Sequence, residues 1–378
     1  MASRKEYAGI GSLSEVRELL DHRGAERVFL VTGHRSYRVS GAAVTLARLL
    51  EGKTVVHFSD FPPSPGSEDL DRDLAFFRGA AHDIILAVGG GSVLDMAKMI
   101  KVCGPSEGTA SQYILGKATL SDRGLPLIAI PTTAGTGSEV TQFAVVYINA
   151  AKYSMASKSM LPEHVVLDHA LTESLPEYQI AATGADALAQ AIEAYWSVNS
   201  TEESREYSTQ AIKKIVPVLR RTIHDGTVED RGRMLRGANL AGKAIDIART
   251  TAPHTLSYSF SRKYGIAHGH AVGLTLGPIF EHNAEVTAGD ACDARGGVFS
   301  RERVEELADL VGAGTVMRAR ACAESLMADL NLPTGLRDLR VERRDLAELA
   351  RSVKSQRLAN NPRLLPQEVI GRILESIY

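Results

Sequence analysis

The sequence predicts two fold classes in one chain. An α/β domain with a parallel sheet and helices on both faces spans residues 1–173, and an all-α domain spans residues 174–378. Three observations carry this division. Short β-branched runs alternate with helical patterns in the first half, as in a sheet built from strand–helix–strand units. From Pro176 onward almost every periodic segment has helical spacing. Between the two, "LTESLPEYQ" (Leu171–Gln179) supplies a turn and a helix start.

The elements follow in order. "RVFLVT" (Arg27–Thr32), "TVVHFSD" (Thr54–Asp60), "DIILAVG" (Asp83–Gly89) and "LPLIAIP" (Leu125–Pro131) read as buried strands. Amphipathic stretches at Leu70–Ala81 and Val93–Lys101 lie between them. "FAVVYIN" (Phe143–Asn149) and "YSMAS" (Tyr153–Ser157) read as a hairpin. In the second half, helical spacing runs over Ile180–Ser197, Ser204–Thr222, Met234–Arg249, Arg303–Val311 and Thr315–Leu330. "GDACDARGG" (Gly289–Gly297) reads as a surface loop. No internal repeat or low-complexity segment interrupts the pattern.

Composition excludes several classes. The chain has 378 residues, 44% hydrophobic, which is enough for a large core or two ordinary ones. Its net charge of −2 argues against a nucleic-acid partner. Its longest apolar runs are strand-sized and too short to span a membrane. The charged N-terminus has no apolar leader. The 3 cysteines, Cys103, Cys292 and Cys322, lack zinc-type or redox spacing. A reducing, cytoplasmic setting is expected.

Two loops carry a nucleotide signature. "AVGGGSVLDMAK" (Ala87–Lys98) follows one strand and opens a helix. Gly89, Gly90 and Gly91 let the backbone approach a ligand, and the free N–H groups of the helix start attract an anion. Ser92 reads as a donor or N-cap, and Asp95 as a first-turn carboxylate or a ribose ligand. The spacing is not G-x-G-x-x-G, so a plain strand-to-helix turn stays open. "IPTTAGTGSEVT" (Ile130–Thr141) also follows a strand, and Thr132, Thr133 and Ser138 offer hydroxyls there; its alternative is a loop capping its own turns. After the first buried strand, Gly33 stands where dinucleotide enzymes often place an acidic residue, followed by His34, Arg35 and Ser36. That arrangement admits a 2′-phosphate and favours NADP(H) over NAD(H); a solvated turn is the alternative.

A second constellation lies in the helical half. Asp186 and Gln190 are four residues apart on an apolar, alanine-rich helix and share a face. A buried carboxylate there needs a partner. "APHTLSYSFSRKYGIAHGHAVGL" (Ala252–Leu274) holds His254, His268 and His270. Asp186 with His254 and His268 makes three ligands with an open position, suited to one divalent metal, Fe(II) or Zn(II). Taken singly, Asp186 also reads as a cap or ion-pair partner, His254 as a satisfied interior histidine, and His270 as an accessory, substrate-contacting or loop residue.

The combination of "GGGSVLDMAK", "PTTAGTGSEVT", "LPEHVVLDHALTESLP", "GADALAQAIEAYWS" and the His254…His268 pair resembles the iron-containing (group III) alcohol dehydrogenases, in order and over nearly the whole chain. The resemblance implies a dehydroquinate synthase-like architecture: an N-terminal dinucleotide-binding domain and a C-terminal helical metal domain. It implies that Asp186, His254 and His268 are metal ligands, and that Gly89, Gly90, Gly91, Ser92, Asp95, Thr132, Thr133 and Lys152 contact the cofactor. It implies an NAD(P)-dependent alcohol dehydrogenase or aldehyde reductase acting on a small molecule, and a homodimer.

Two positions depart from the family. Gln190 replaces a usual histidine ligand and offers only a carbonyl oxygen. Tyr258 replaces a histidine of the proton relay; Tyr258 and His270 are the candidate proton-carrying groups. Within the family the chain is most similar to the hydroxyethylphosphonate dehydrogenase or phosphonoacetaldehyde reductase group, on "FSDFPPSPGSEDL", "TGHRSYRVSGA" and "ARTTAPHTLSYSF". That likeness implies reduction of phosphonoacetaldehyde to 2-hydroxyethylphosphonate in phosphonate biosynthesis. A phosphonate dianion needs cations, and Arg249, Arg262 and Lys263 are the candidates; solvated surface charges are the alternative. Rival readings are a general short-chain alcohol or aldehyde oxidoreductase, a lyase or cyclase of the same fold, and a non-catalytic nucleotide-binding protein.

Overall fold

The computed structural model describes residues 4–122, 124–149, 151–353 and 358–378. The chain forms two compact units: Met1–Thr133 with Gly137–Leu175, and Ala134–Thr136 with Pro176–Tyr378. The main division thus falls between Leu175 and Pro176, and three residues of the Thr-rich loop belong to the second unit.

The first unit is built on six strands: β1 (Lys5–Ala8), β2 (Arg27–Thr32), β3 (Thr54–Phe58), β4 (Ile84–Gly89), β5 (Leu127–Pro131) and β8 (His164–Leu167). They run in the order β1-β8-β5-β4-β2-β3, and every pairing is parallel. A separate antiparallel hairpin joins β6 (Phe143–Ile148) to β7 (Ala151–Ala156). Helices α1 (Glu15–Arg23), α2 (Ser36–Val39), α3 (Ala42–Leu49), α4 (Ser67–Arg78), α5 (Gly91–Cys103) and α6 (Ala110–Ile114) connect the strands.

Alternation along the strands makes two cores, one per sheet face. Phe29, Val31, Ile85, Ala87, Leu127 and Ala129 bury into one, while Val28, Leu30, Ile84, Leu86, Ile128 and Ile130 bury into the other. Double burial is why β2, β4 and β5 read as continuous apolar runs. Two strands escape that pattern. β1, "KEYA", is a short charged edge strand of the kind that resists further pairing. β8, "HVVL", has four residues, too few to show a period.

The second unit comprises α7 (Glu177–Trp196), α8 (Glu202–Ile215), α9 (Leu219–His224), α10 (Val228–Ala248), α11 (Ala252–Tyr264), α12 (His268–Ala284), α13 (Gly297–Leu310), α14 (Val316–Asp329), α15 (Leu346–Ser352) and a closing helix, Gln367–Ser376. The expected single helix over Ser204–Thr222 is two, because Pro217 has no N–H with which to continue the helical hydrogen bonds. Helix α7 is central. It packs on α8, α10 and α12, and its alanines allow those close approaches. The stretch Gly289–Gly297, expected as a surface loop, is pinned. Arg363 holds Asp290 at 2.7 Å, and Arg295 donates to the carbonyls of Ser197, Val198 and Ser200. Among the described residues no helix is long and apolar enough to cross a membrane.

Candidate active site

In the first unit, the candidate nucleotide residues gather at one edge of the sheet. Strands β5, β4 and β2 are neighbours and parallel, so their C-terminal ends lie side by side. Gly33 follows β2, the glycine run ends β4 and opens α5, and Thr132 and Thr133 follow β5. The chain also reverses its direction of strand addition between β2 and β4. Open α/β sheets bind ligands at such a switch point.

The local geometry suits a phosphate group. Gly90 caps α5 with no side-chain hydrogen bond, so the helix start is not closed by a side chain. A Cβ on Gly89 would lie 2.5 Å from Val93, which fixes glycine where the strand turns into the helix. The hydroxyl of Thr132 is buried without a hydrogen-bond partner. Ser92 Oγ accepts from the Ser64 amide, and Lys152 sits opposite Tyr147 in the hairpin. Arg35 is exposed at the start of α2, beyond Gly33.

Asp95 differs from its expected place. Helix α5 begins at Gly91, so Asp95 lies beyond the first turn. Its carboxylate accepts from Ser138 Oγ and from the Val145 amide at 2.8 Å, and pairs with Lys98 at 3.1 Å. Lys98 is fully buried and donates to the carbonyls of Ser138 and Phe143 and to Thr141. Asp95, Ser138 and Lys98 therefore brace the Thr-rich loop. No ribose is needed to satisfy that carboxylate.

In the second unit, Asp186, His254 and His268 offer ligand atoms that all lie within 4.8 Å of one another. Asp186 and Gln190 share one face of α7, His254 comes from the first turn of α11, and His268 opens α12. Both histidines are thus helical. Gly269 allows the approach. A Cβ there would fall 1.9 Å from the Ala182 carbonyl oxygen and 2.7 Å from Asp186 Cβ.

Hydrogen bonds orient each ring. Ser257 Oγ donates to the His254 carbonyl at 2.7 Å, so it accepts from His268 Nδ1 at 3.2 Å. That leaves the lone pair on His268 Nε2. His254 Nδ1 meets Glu193 Oε2, and its Nε2 faces Asp186 Oδ1 at 3.2 Å. Burial pushes the His254 imidazole pKa down, but Glu193 and Asp186 outweigh this and raise it to about 9. Gln190 Nε2 donates to Asp186 Oδ2 at 3.2 Å and the Thr136 carbonyl at 3.4 Å. Its Oε1 is left buried with no hydrogen-bond partner. Unpartnered buried oxygens are rare because they forfeit a hydrogen bond to water. A divalent cation would satisfy this one, and once it displaced the proton on His254 Nε2 a carboxylate with two imidazoles would suit Fe(II) or Zn(II).

The other candidates separate. Tyr258 is half-buried and stacks on His268, with centroids 5.8 Å apart and planes at 9°. His270 is fully buried, and both nitrogens are engaged. Nε2 meets the Pro333 carbonyl at 2.8 Å and Nδ1 meets Tyr178 Oη at 3.0 Å. Burial holds its pKa low. Arg262 is exposed, and Lys263 is held by Glu348 at 2.7 Å and Asp345 at 3.3 Å on the surface. Arg249 ends α10, the helix before the one that carries His254, with φ 65° and ψ 167°. Sequence reasoning missed Glu193, Ser257 and Gly269. Glu193 was detectable: Asp186, Gln190 and Glu193 form one i, i+4, i+7 stripe of polar groups on an apolar helix.

Comparison with known proteins agrees with this geometry. The family model for iron-containing alcohol dehydrogenase matches residues 3–169, and that for the C-terminal part of the Fe-containing alcohol dehydrogenase family matches residues 180–378. The long-chain-alcohol dehydrogenase 1 of Geobacillus thermodenitrificans is 30% identical over 98% of this chain and 94% of its own. The phosphonoacetaldehyde reductase of Streptomyces viridochromogenes is 34% identical over 97% and 94%. Among solved structures, the sulfoacetaldehyde reductase from Bifidobacterium kashiwanohense in complex with NAD+ superposes with a TM-score of 0.90 at 27% identity, covering 100% of this chain and 97% of that one. The chain belongs to the iron-containing alcohol dehydrogenase family and is an alcohol or aldehyde oxidoreductase.

Proposed function

We propose that this enzyme transfers hydride between NADP(H) and a small aldehyde carrying a compact anion, and that phosphonoacetaldehyde, reduced to 2-hydroxyethylphosphonate, is its substrate. The reaction balances as aldehyde, NADPH and a proton giving alcohol and NADP+. The observation that carries the reading is the cluster of Asp186, His254 and His268, whose ligand atoms all lie within 4.8 Å of one another, beside the buried, unpartnered Oε1 of Gln190. Two relatives with small anionic aldehydes in their names support the substrate class.

The residues divide the work. Asp186, His254 and His268 hold one divalent metal, Fe(II) or Zn(II), with Gln190 Oε1 as a weaker fourth donor. When bound, that metal acts as a Lewis acid toward a carbonyl oxygen, and the nicotinamide supplies the hydride. The uncapped start of α5, the Gly89–Gly91 run, Thr132, Thr133 and Lys152 hold the dinucleotide. Gly33 with Arg35 leaves room and charge for a 2′-phosphate. Tyr258, beside His268, carries the proton to the developing alkoxide. Arg249 binds the anion; its strained backbone is the kind found where a side chain must be aimed.

NADPH oxidation by metal-replete protein, with phosphonoacetaldehyde and acetaldehyde side by side, tests this. A preference for the phosphonate of tenfold or more in kcat/KM, on the order of 1.4 kcal/mol, is expected. Equal use of acetaldehyde would leave a general aldehyde reductase and remove the anion site.

A further inference from the structure

Glu193 is fully buried on α7, and it receives four hydrogen bonds in two groups. Its Oε1 accepts from the Thr251 amide at 2.8 Å, Thr251 Oγ1 at 3.0 Å and the His254 amide at 3.3 Å. Its Oε2 accepts from His254 Nδ1. Helix α11 begins after Thr251, which makes no side-chain cap of its own, so Glu193 caps the helix from a neighbouring one. Thr251 Oγ1 in turn accepts from Trp196 Nε1 at 2.9 Å. This is the chain's single tryptophan.

We propose that Glu193 is a positioning residue for the metal site: it fixes His254 in the tautomer whose Nε2 can ligate, and anchors the start of the helix that carries it. The inference rests on reading His254 as a ligand. The two oxygens have separable tasks. One holds the backbone of α11; the other holds the proton on Nδ1. A glutamine keeps the first and reverses the second. Its carbonyl must face the three donors at Thr251 and His254, so its amide NH2 faces Nδ1. Nδ1 then becomes an acceptor, the proton moves to Nε2, and the atom facing Asp186 loses its lone pair. Carboxylates that orient metal-bound histidines are commonly worth 10–100-fold in metal affinity.

The test is zinc affinity, by competition with a chromophoric chelator, on wild-type protein, Glu193→Gln and His254→Ala, with Trp196 emission followed in the same titration. Glu193→Gln should bind zinc roughly 10–100-fold more weakly, while its circular dichroism and melting stay close to wild type. Wild-type affinity in Glu193→Gln, with affinity lost in His254→Ala, would overturn the role of Glu193 alone. Unchanged affinity in His254→Ala would overturn the ligand reading itself. A second measurement needs no variant of Glu193. In zinc-loaded protein with 15N-labelled histidine, the His254 signal, assigned by its absence in His254→Ala, should report zinc on Nε2 and a proton on Nδ1; zinc on Nδ1 would refute the proposal.

Discussion

Arg249 poses the sharpest question at the scale of one residue. Its φ of 65° with ψ of 167° lies in a region that side chains with a Cβ rarely enter, at a cost on the order of 1–3 kcal/mol. A glycine would adopt this backbone without strain, though it gives back about 0.5–1 kcal/mol through the unfolded chain. Arg249→Gly should therefore melt no lower than wild type. If the guanidinium binds the substrate anion, the same variant should raise KM for phosphonoacetaldehyde roughly tenfold or more, the loss of one charge-assisted hydrogen bond, with acetaldehyde kinetics little changed. A variant that loses stability and leaves both KM values alone would make Arg249 a structural cap. Arg262 and Lys263, equally visible in the sequence, lie on an exposed face. Nothing in the spacing of charges separates them from Arg249; the structure commits Lys263 to ion pairs with Glu348 and Asp345.

The cluster of Asp186, His254 and His268 depends on how closely two elements meet. Helix α12 starts against α7 at Gly269, where a methyl group would overlap a backbone carbonyl rather than a movable side chain. Gly269→Ala must shift the start of α12 and carry His268 away from Asp186. Overpacking of this kind costs about 1–3 kcal/mol or more, and the larger effect should be on metal content. Purified Gly269→Ala protein should retain well under half the wild-type metal per chain after dialysis. Full metal content would mean that α12 can retreat without opening the cluster. The "HGH" triplet signals the two histidines, but the glycine between them reads as a turn residue until the Ala182 carbonyl is seen against it. Similarly, the i, i+4 spacing of Asp186 and Gln190 was legible, while the task of Glu193 three residues on depends on α11.

At the scale of the whole molecule, stability should carry a pH signature from Asp73. This α4 residue is fully buried, and neither carboxylate oxygen has a hydrogen-bond partner. Burial pushes its pKa up to about 8; Arg72 pulls it down, and Asp69 and Asp60 add to the rise. The folded protein keeps this proton over a range where the unfolded chain, near 3.8, has lost it. The contribution to stability is therefore greatest below pH 4 and falls as pH rises towards 8. Asp73→Asn should remove that fall. In urea unfolding of the wild type and the variant, the difference in stability should grow from pH 5 to pH 8 and reach on the order of a few kcal/mol. A difference independent of pH would mean that Asp73 is charged in the folded state.

Sequence alone determined the two-part fold, the strands β2 to β5, the glycine-rich and threonine-rich loops that follow two of those strands, and the grouping of Asp186, His254 and His268 as a candidate metal cluster. These are properties of periodicity and residue type, which local chemistry writes into short stretches: doubly buried strands are apolar throughout, and phosphate loops need glycine. Only the tertiary structure decided which polar groups are already committed. Asp95 proved to brace a loop with Ser138 and Lys98, and His270 to be saturated by Pro333 and Tyr178. Glu193 proved to hold the start of α11 and the ring of His254. A hydrogen bond is a matter of distance and direction between groups far apart in the chain. Residue types name the possible donors and acceptors, and folding chooses the partners.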